Sequence, residues 1–312
     1  MCSKNSKNKE QDLFYWFTPH NPDISQCSDS LRLKLGPVEK ILAEWHKNID
    51  IRDCPVPRIL MQTWKTNNIP DKWRQAQPSI RKEMPDWHLI LLTDEDNDEF
   101  VRIFYPKIYK TFLSYAYGIQ RADVIRYLWL HRYGGIYLDL DFVVQHNLEL
   151  AFTLFENKVV GNTNSASQIY FACSSNVNTI TNWFIASAPN LDFWDYCISV
   201  IPYNAQAGWI GSLSRELYIL NSTGPIFLNR AVTDYASKHN FSYTLIDPKK
   251  LNPYNMCTTC YNSDTLLRPL EGSSWFNNPV YKICYCWMYT ILIFLGFIIL
   301  LMLYFCFYKY YG

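Results

Sequence analysis

The chain of 312 residues has almost no net charge, with 29 Lys and Arg against 28 Asp and Glu for a formal balance of +1. Bulk attraction to a polyanion is therefore absent, and no nucleic-acid partner is expected. Histidine is sparse, with 6 scattered residues. A hydrolase built on two metals gathers more carboxylates or histidines than this chain clusters. Residues 1–22 carry Lys4, Lys7 and Lys9 but no apolar run, so no signal peptide is expected there. No internal repeat or low-complexity tract is visible.

One segment lacks charge altogether. Between Lys282 and Lys309, residues Ile283 to Tyr308 are uncharged. As a helix, at about 1.5 Å per residue, they would extend roughly 39 Å, enough to span a hydrocarbon core of roughly 30 Å with some tilt. Trp287, Tyr289, Tyr304 and Tyr308 lie near its ends, where aromatic residues favour the membrane interface. A single-pass C-terminal transmembrane helix over 281–309 is expected, with the lipid bilayer as a partner. Ten cysteines do not fix the compartment, since Cys284, Cys286 and Cys306 fall in this segment. Cys257-Thr258-Thr259-Cys260 has the spacing of half a zinc site, but no second half follows. A loop with two ordinary or disulfide-linked thiols is the better reading.

The rest divides into an N-terminal extension, 1–54, and a main domain, 55–280. Leu33, Leu35, Val38, Ile41 and Leu42 predict one amphipathic helix in the extension. Val56 to Trp64 reads as an apolar strand, followed by a polar helix with Trp73 and a second strand over Trp87 to Leu92. Thr93 is placed to cap a helix that opens on Asp94, Glu95 and Asp96. Ile119 to Tyr133 predicts a helix stopped by Gly134-Gly135, and Ile136 to Leu140 a strand. Shorter elements follow over 168–172, 193–201, 226–239 and 243–246. Strand and helix alternating in this way predict an α/β domain with a largely parallel sheet.

The chemistry concentrates at Asp139-Leu140-Asp141. Alternation along a strand puts Tyr137, Asp139 and Asp141 on one face if the pleat persists. Two carboxylates at a strand's carboxyl end suit a hard cation, Mn²⁺ or Mg²⁺, that bridges to substrate phosphates. D-x-D by itself is common and by itself reads better as a strand end with two solvated aspartates. Asp123 and Arg126 on the preceding helix are i and i+3, so they share a face. They form either an internal ion pair or a grip on sugar hydroxyls beside a diphosphate.

Gln120-Arg121-Ala122-Asp123-Val124-Ile125-Arg126-Tyr127, followed by Tyr133-Gly134-Gly135-Ile136-Tyr137-Leu138-Asp139-Leu140-Asp141, resembles glycosyltransferase family 32, the DXD-containing sugar transferases. The resemblance extends in order through Pro57 to Lys65, Trp87 to Asn97, Ile180-Thr181-Asn182, Ala186 to Pro189, Thr223-Gly224-Pro225 and Glu271 to Trp275. It implies a GT-A-like nucleotide-sugar-binding fold and a metal-dependent, retaining hexosyltransferase. By the family pattern Asp141 binds the metal directly, Asp139 bridges metal, ribose and sugar, and Asp123 and Arg126 hold the donor sugar. Trp64 stacks on the base or serves as a core aromatic. Ser274 and Trp275 close over the diphosphate. Phe276 replaces the family's frequent His, and Leu191-Asp192 its frequent H-P, which puts the closing loop and acceptor side in question.

The family's mannosyltransferases make GDP-mannose the favoured donor, with UDP-hexoses open. A membrane anchor favours a glycolipid acceptor over a glycan and admits a regulatory membrane subunit. The alternative is a catalytically silent protein that binds nucleotide-sugar or glycan. Front-face transfer is the expected route, because no motif positions a nucleophile. The anchor suggests membranes of endoplasmic-reticulum or Golgi type. A helix so near the chain end suggests a cytosolic domain, whereas the sequons Asn221-Ser222-Thr223 and Asn240-Phe241-Ser242 would be used only in a lumen.

Overall fold

The computed structural model describes residues 23–47, 54–154, 156–161, 167–174, 179–204, 214–252, 264–272 and 296–298. The chain divides into two units, Met1–Pro253 with Asn262–Gly272, and Tyr254–Tyr261 with Ser273–Gly312. In the second, residues 296–298 are helical. No helix among the described residues is long and apolar enough to cross a membrane. The expected transmembrane segment lies outside the described residues apart from 296–298, and Cys257, Cys260, Ser274 and Trp275 lie wholly outside them.

In the first unit, helix α1 (Asp29–Lys47) buries Leu31, Leu35 and Val38 in the domain core. Strand β1 (Ile59–Thr63) leads through helix α2 (Ala76–Glu83) to strand β2 (His88–Leu92), and the two strands pair in parallel. Helix α3 (Asp94–Phe104) opens on the capping box that Thr93 predicted. Its hydroxyl accepts from Asp96 N at 3.2 Å, and Asp96 Oδ2 accepts from Thr93 N at 2.7 Å. Helix α4 (Pro106–Ser114) precedes helix α5 (Gly118–Arg132), which is buried along most of its length. Gly134 and Gly135 follow, at φ +64° and +84°. A Cβ on Gly135 would lie 2.3 Å from the Ile59 carbonyl oxygen, so the close pairing of the next strand needs glycine there.

That strand, β3 (Gly135–Leu138), is parallel to β1 and antiparallel to β7 (Ile180–Ser187). The chain then runs through β4 (Phe142–Val144), β5 (Lys158–Val160) and β6 (Ile169–Cys173). After β7 come helices α6 (Asp192–Asn204), α7 (Arg215–Ser222) and α8 (Pro225–Lys238), strand β8 (Tyr243–Ile246), helix α9 (Pro248–Leu251) and strand β9 (Leu267–Pro269). The described strands form a seven-stranded sheet, β2-β1-β3-β7-β6-β8-β5, and a two-stranded sheet, β4-β9. The expectation of a largely parallel sheet is corrected to a mixed one. β7 enters against both β3 and β6, and β5 against β8, each antiparallel. Apolar residues cover both faces. Ile59, Met61 and Tyr137 face one cluster with α1, α3, α5 and α6, while Leu60, Ile136 and Leu138 face the other with α2.

Candidate active site

The pleat does not persist to Asp141. β3 ends at Leu138, and Leu140-Asp141 form a turn. After the Asp139 amide donates to the Trp183 carbonyl at 2.8 Å, the chain leaves β7 to pair β4 with β9. A turn, and not strand alternation, therefore presents the second carboxylate. Tyr137 and Asp139 do share a side, since the Tyr137 hydroxyl donates to Asp139 Oδ1 at 2.6 Å.

Behind Asp139 lies Arg126, whose side chain is only 2% exposed. Its Nη1 stands 3.3 Å from Asp139 Oδ1 and donates to the Asn182 carbonyl at 2.5 Å. Nη2 stands 3.0 Å from Asp123 Oδ1, and Nε donates to the Ala122 carbonyl at 3.1 Å. The guanidinium also lies 4.4 Å from the Tyr137 ring centroid, a cation–π contact. Arg126 therefore joins both carboxylates, one on its own helix and one at the exit of β3. Asp123 is equally enclosed. Its Oδ1 accepts from Asn182 Nδ2 at 2.8 Å and its Oδ2 from the Thr223 hydroxyl at 2.9 Å. The internal ion pair is present, and it extends to Asp139.

Burial dominates the electrostatics. It pushes the Asp123 carboxyl up to about 6, with Asp139's charge adding, against the pull of Arg126 and of the Thr223 and Asn182 hydrogen bonds. The Asp139 carboxyl is raised by burial as well, opposed by Arg126 and Tyr137. Asp141 is pushed up to about 7, by burial first and the neighbouring Asp139 second. Arg126 is held more firmly protonated than usual, because Tyr137, Asp139 and Asp123 outweigh its burial.

A second approach reaches Asp141 from β9. The Leu270 amide donates to the Asp141 carbonyl at 2.7 Å, and Trp73 Nε1 donates to the Glu271 carbonyl at 2.7 Å. Gly272 then lies so near that a Cβ on it would stand 1.8 Å from Asp141 Oδ2. Trp64 meets Trp73 edge-on at 4.8 Å between ring centroids. It is linked to Asp141 through this segment and has no described contact with either aspartate.

The donor set suits a hard cation that also takes phosphate oxygens. Asp139 and Asp141 can supply oxygen ligands, and burial raises the proton affinity of both. Among the described residues no group of three or more His, Cys, Asp or Glu could hold a metal by itself. Substrate oxygens and water would complete the shell.

The structure thus gathers five predicted residues, Asp123, Arg126, Tyr137, Asp139 and Asp141, and leaves Trp64 at the periphery. The family pattern implied that Asp123 and Arg126 hold the donor sugar, and the structure places both, buried, next to Asp139. Asn182, Thr223 and Gly272 were not singled out. Each sits inside a matched motif, but only the tertiary contacts reveal what it touches.

A mixed sheet that exits on two carboxylates, backed by a buried guanidinium, is the arrangement the comparisons bear on. Residues 70–166 match the family described as a glycosyltransferase sugar-binding region containing a DXD motif. Over these residues the chain is similar to that family. It is 31% identical over 233 residues to inositol phosphoceramide mannosyltransferase 2 of Schizosaccharomyces pombe, covering 73% of this chain and 61% of that protein. Against mannosyl phosphorylinositol ceramide synthase SUR1 of Saccharomyces cerevisiae the identity is 32% over 225 residues, covering 70% and 52%. A shorter match, 45% over 104 residues, joins it to inositol phosphoceramide mannosyltransferase 3 of S. pombe, covering 33% and 29%. The matches span between about three tenths and three fifths of the length of these relatives.

Proposed function

We propose that the chain is a metal-dependent, retaining hexosyltransferase of GT-A type that transfers mannose from GDP-mannose to inositol phosphoceramide or a related glycolipid. The observation that carries the reading is the Asp139–Asp141 turn with Arg126 ion-paired behind it. The names of the relatives support the sugar and the acceptor. Asp139 and Asp141 would hold Mn²⁺ or Mg²⁺, which when bound neutralises charge on a departing diphosphate.

The protein's own residues then have separable tasks. Arg126 fixes Asp139 and keeps positive charge behind the diphosphate site. Asp123 has one lone pair on Oδ2, and Arg126 one N–H on Nη2, beyond their described partners, enough for a hydrogen bond each to a sugar hydroxyl. Trp64 offers an aromatic face to the base. The bond from the acceptor oxygen to the anomeric carbon forms on the side where the bond to the diphosphate breaks. The acceptor's proton passes to the diphosphate oxygen.

Residues 283–308 serve in this reading as a single membrane anchor that brings the site to its lipid acceptor. The direct test supplies labelled GDP-mannose and inositol phosphoceramide in mixed micelles with Mn²⁺. Labelled mannosylated lipid is expected. If label passes only from a UDP-hexose, the donor assignment is wrong. Protease treatment of sealed microsomes reads the topology, and complete release of the domain by carbonate would contradict the anchor.

A further inference from the structure

Helix α5 carries Gln120, Asp123 and Tyr127 at i, i+3 and i+7, along one ridge. All three side chains end on the same two residues. Gln120 Nε2 donates to Ser222 Oγ at 2.8 Å. The Thr223 hydroxyl donates to Asp123 Oδ2 at 2.9 Å. The Tyr127 hydroxyl donates to the Thr223 carbonyl at 2.7 Å. Ser222 and Thr223 are 2% and 0% exposed.

They sit in a tight junction between α7 and α8. The Thr223 and Gly224 amides both donate to the Ile219 carbonyl, at 3.2 and 3.0 Å. A Cβ on Gly224 would stand 3.0 Å from Leu220 Cα, so the backbone there is closely packed. In the sequon at Asn221 the threonine hydroxyl is committed to Asp123, while Asn221 itself is half-buried.

A continuous polar path follows from Thr223 to Asp123 at 2.9 Å, from Asp123 to Arg126 at 3.0 Å, and from Arg126 to Asp139 at 3.3 Å. Asp123 Oδ1 is held by Asn182 and Arg126, so Thr223 alone fixes Oδ2 among the described partners.

We propose that Thr223 is a positioning residue for sugar transfer, setting Asp139 through Asp123 and Arg126. This rests on the glycosyltransferase reading above. Thr223 touches no reacting atom. Without its hydroxyl a buried carboxylate oxygen loses its donor, the carboxylate turns, and the guanidinium that orients Asp139 follows it. Asp139 is one of the two proposed metal ligands, so turning it weakens metal-supported diphosphate binding together with the reaction, while Asp141 lies outside the path.

The test uses the full chain with Mn²⁺ and GDP-mannose, UDP-glucose, UDP-galactose and UDP-N-acetylglucosamine as donors, measuring hydrolysis. Thr223→Val is expected to lower kcat about 10- to 100-fold, the loss of a hydrogen bond to a charged group. Mn²⁺-supported GDP binding by calorimetry should weaken in Thr223→Val and recover in Thr223→Ser, while GDP binding without metal stays within about twofold. Thr223→Ser, which keeps the hydroxyl, should restore kcat to within about threefold. Should Thr223→Val not fold, Thr223→Ala carries the same comparison. Full kcat in the folded variant lacking the hydroxyl overturns the proposal. Equal losses in the hydroxyl-free variant and Thr223→Ser overturn it too, since they indicate packing alone. If the wild-type chain hydrolyses none of the donors, the glycosyltransferase reading falls and the proposal falls with it.

Discussion

Replacing Gly272 by Ala disturbs the proposed metal site without replacing either of its carboxylates. The added Cβ would lie 1.8 Å from Asp141 Oδ2 and 2.9 Å from its Cγ. Unstrained carbon contacts sit at roughly 3.5 Å, so the carboxylate must retreat by more than about 1.5 Å. Metal–oxygen distances tolerate only about 0.2 Å. The backbone on the far side is held by Leu270 on Asp141 and by Trp73 on Glu271, so the side chain gives way first. Asp141 is half-buried and can turn, at about 0.5–1.5 kcal/mol if it leaves its preferred rotamer. Gly272→Ala should therefore fold with a nearly unchanged Tm in EDTA. It should lose Mn²⁺ binding and about 100-fold in donor turnover, the scale of an ångström's misplacement. Calorimetry with Mn²⁺ and GDP, donor hydrolysis and thermal unfolding measure the three quantities. A variant with wild-type Mn²⁺ affinity and turnover would refute the argument, since it would show that Asp141's position is not what the site depends on.

Other expectations follow from the same contacts. Arg126→Ala leaves two buried carboxylates without their cation and should destabilise the domain by about 3–5 kcal/mol. Its rate should fall far more than its affinity for the free diphosphate, and chemical denaturation with calorimetry separates these. Equal losses in rate and diphosphate affinity would favour a purely structural ion pair. Asp123, Asp139 and Asp141 all have raised folded pKa values, so the stability tied to their neutral forms is present below about pH 4. It is lost as pH rises through about 6 for Asp123 and about 7 for Asp141. Mn²⁺ needs the charged forms, so its increment in Tm should grow between pH 5.5 and 7.5, and an increment independent of pH would contradict this. Trp64→Ala should weaken GDP binding about tenfold if the ring stacks on the base, within the roughly 1–3 kcal/mol of such contacts. Unchanged GDP affinity would leave Trp64 as a packing residue against Trp73.

The local elements were legible because local chemistry decides them. Thr93 before three acidic residues, and Tyr133-Gly134-Gly135 after an apolar run, mark boundaries that the structure keeps within a residue or two. The antiparallel entry of β7 was not legible, since Ile180–Ser187 contains the same apolar run that either orientation would bury. The site was legible to the extent that its residues are close in sequence. Asp123 and Arg126 are one helical turn apart, and Asp139 follows one strand later. The role of Arg126 was only half visible, because burial and its reach to Asp139 depend on how α5 lies across β3 and β7. Thr223 and Gly272 lie about a hundred residues or more from the groups they touch, and the sequence holds no trace of which atoms they meet.

The central claim is that Asp139 and Asp141 form the metal site of a sugar-nucleotide-dependent transferase. It is tested most directly by donor hydrolysis, wild type beside Asp141→Asn, with Mn²⁺ or with EDTA, across GDP-mannose and the UDP-hexoses. Removing one of two neighbouring carboxylates relieves repulsion, so Asp141→Asn should fold with equal or higher Tm in EDTA. The wild type should hydrolyse at least one donor, GDP-mannose foremost, only with Mn²⁺, and the variant should hydrolyse none. Wild-type turnover in Asp141→Asn, or wild-type turnover undiminished by EDTA, would contradict the claim.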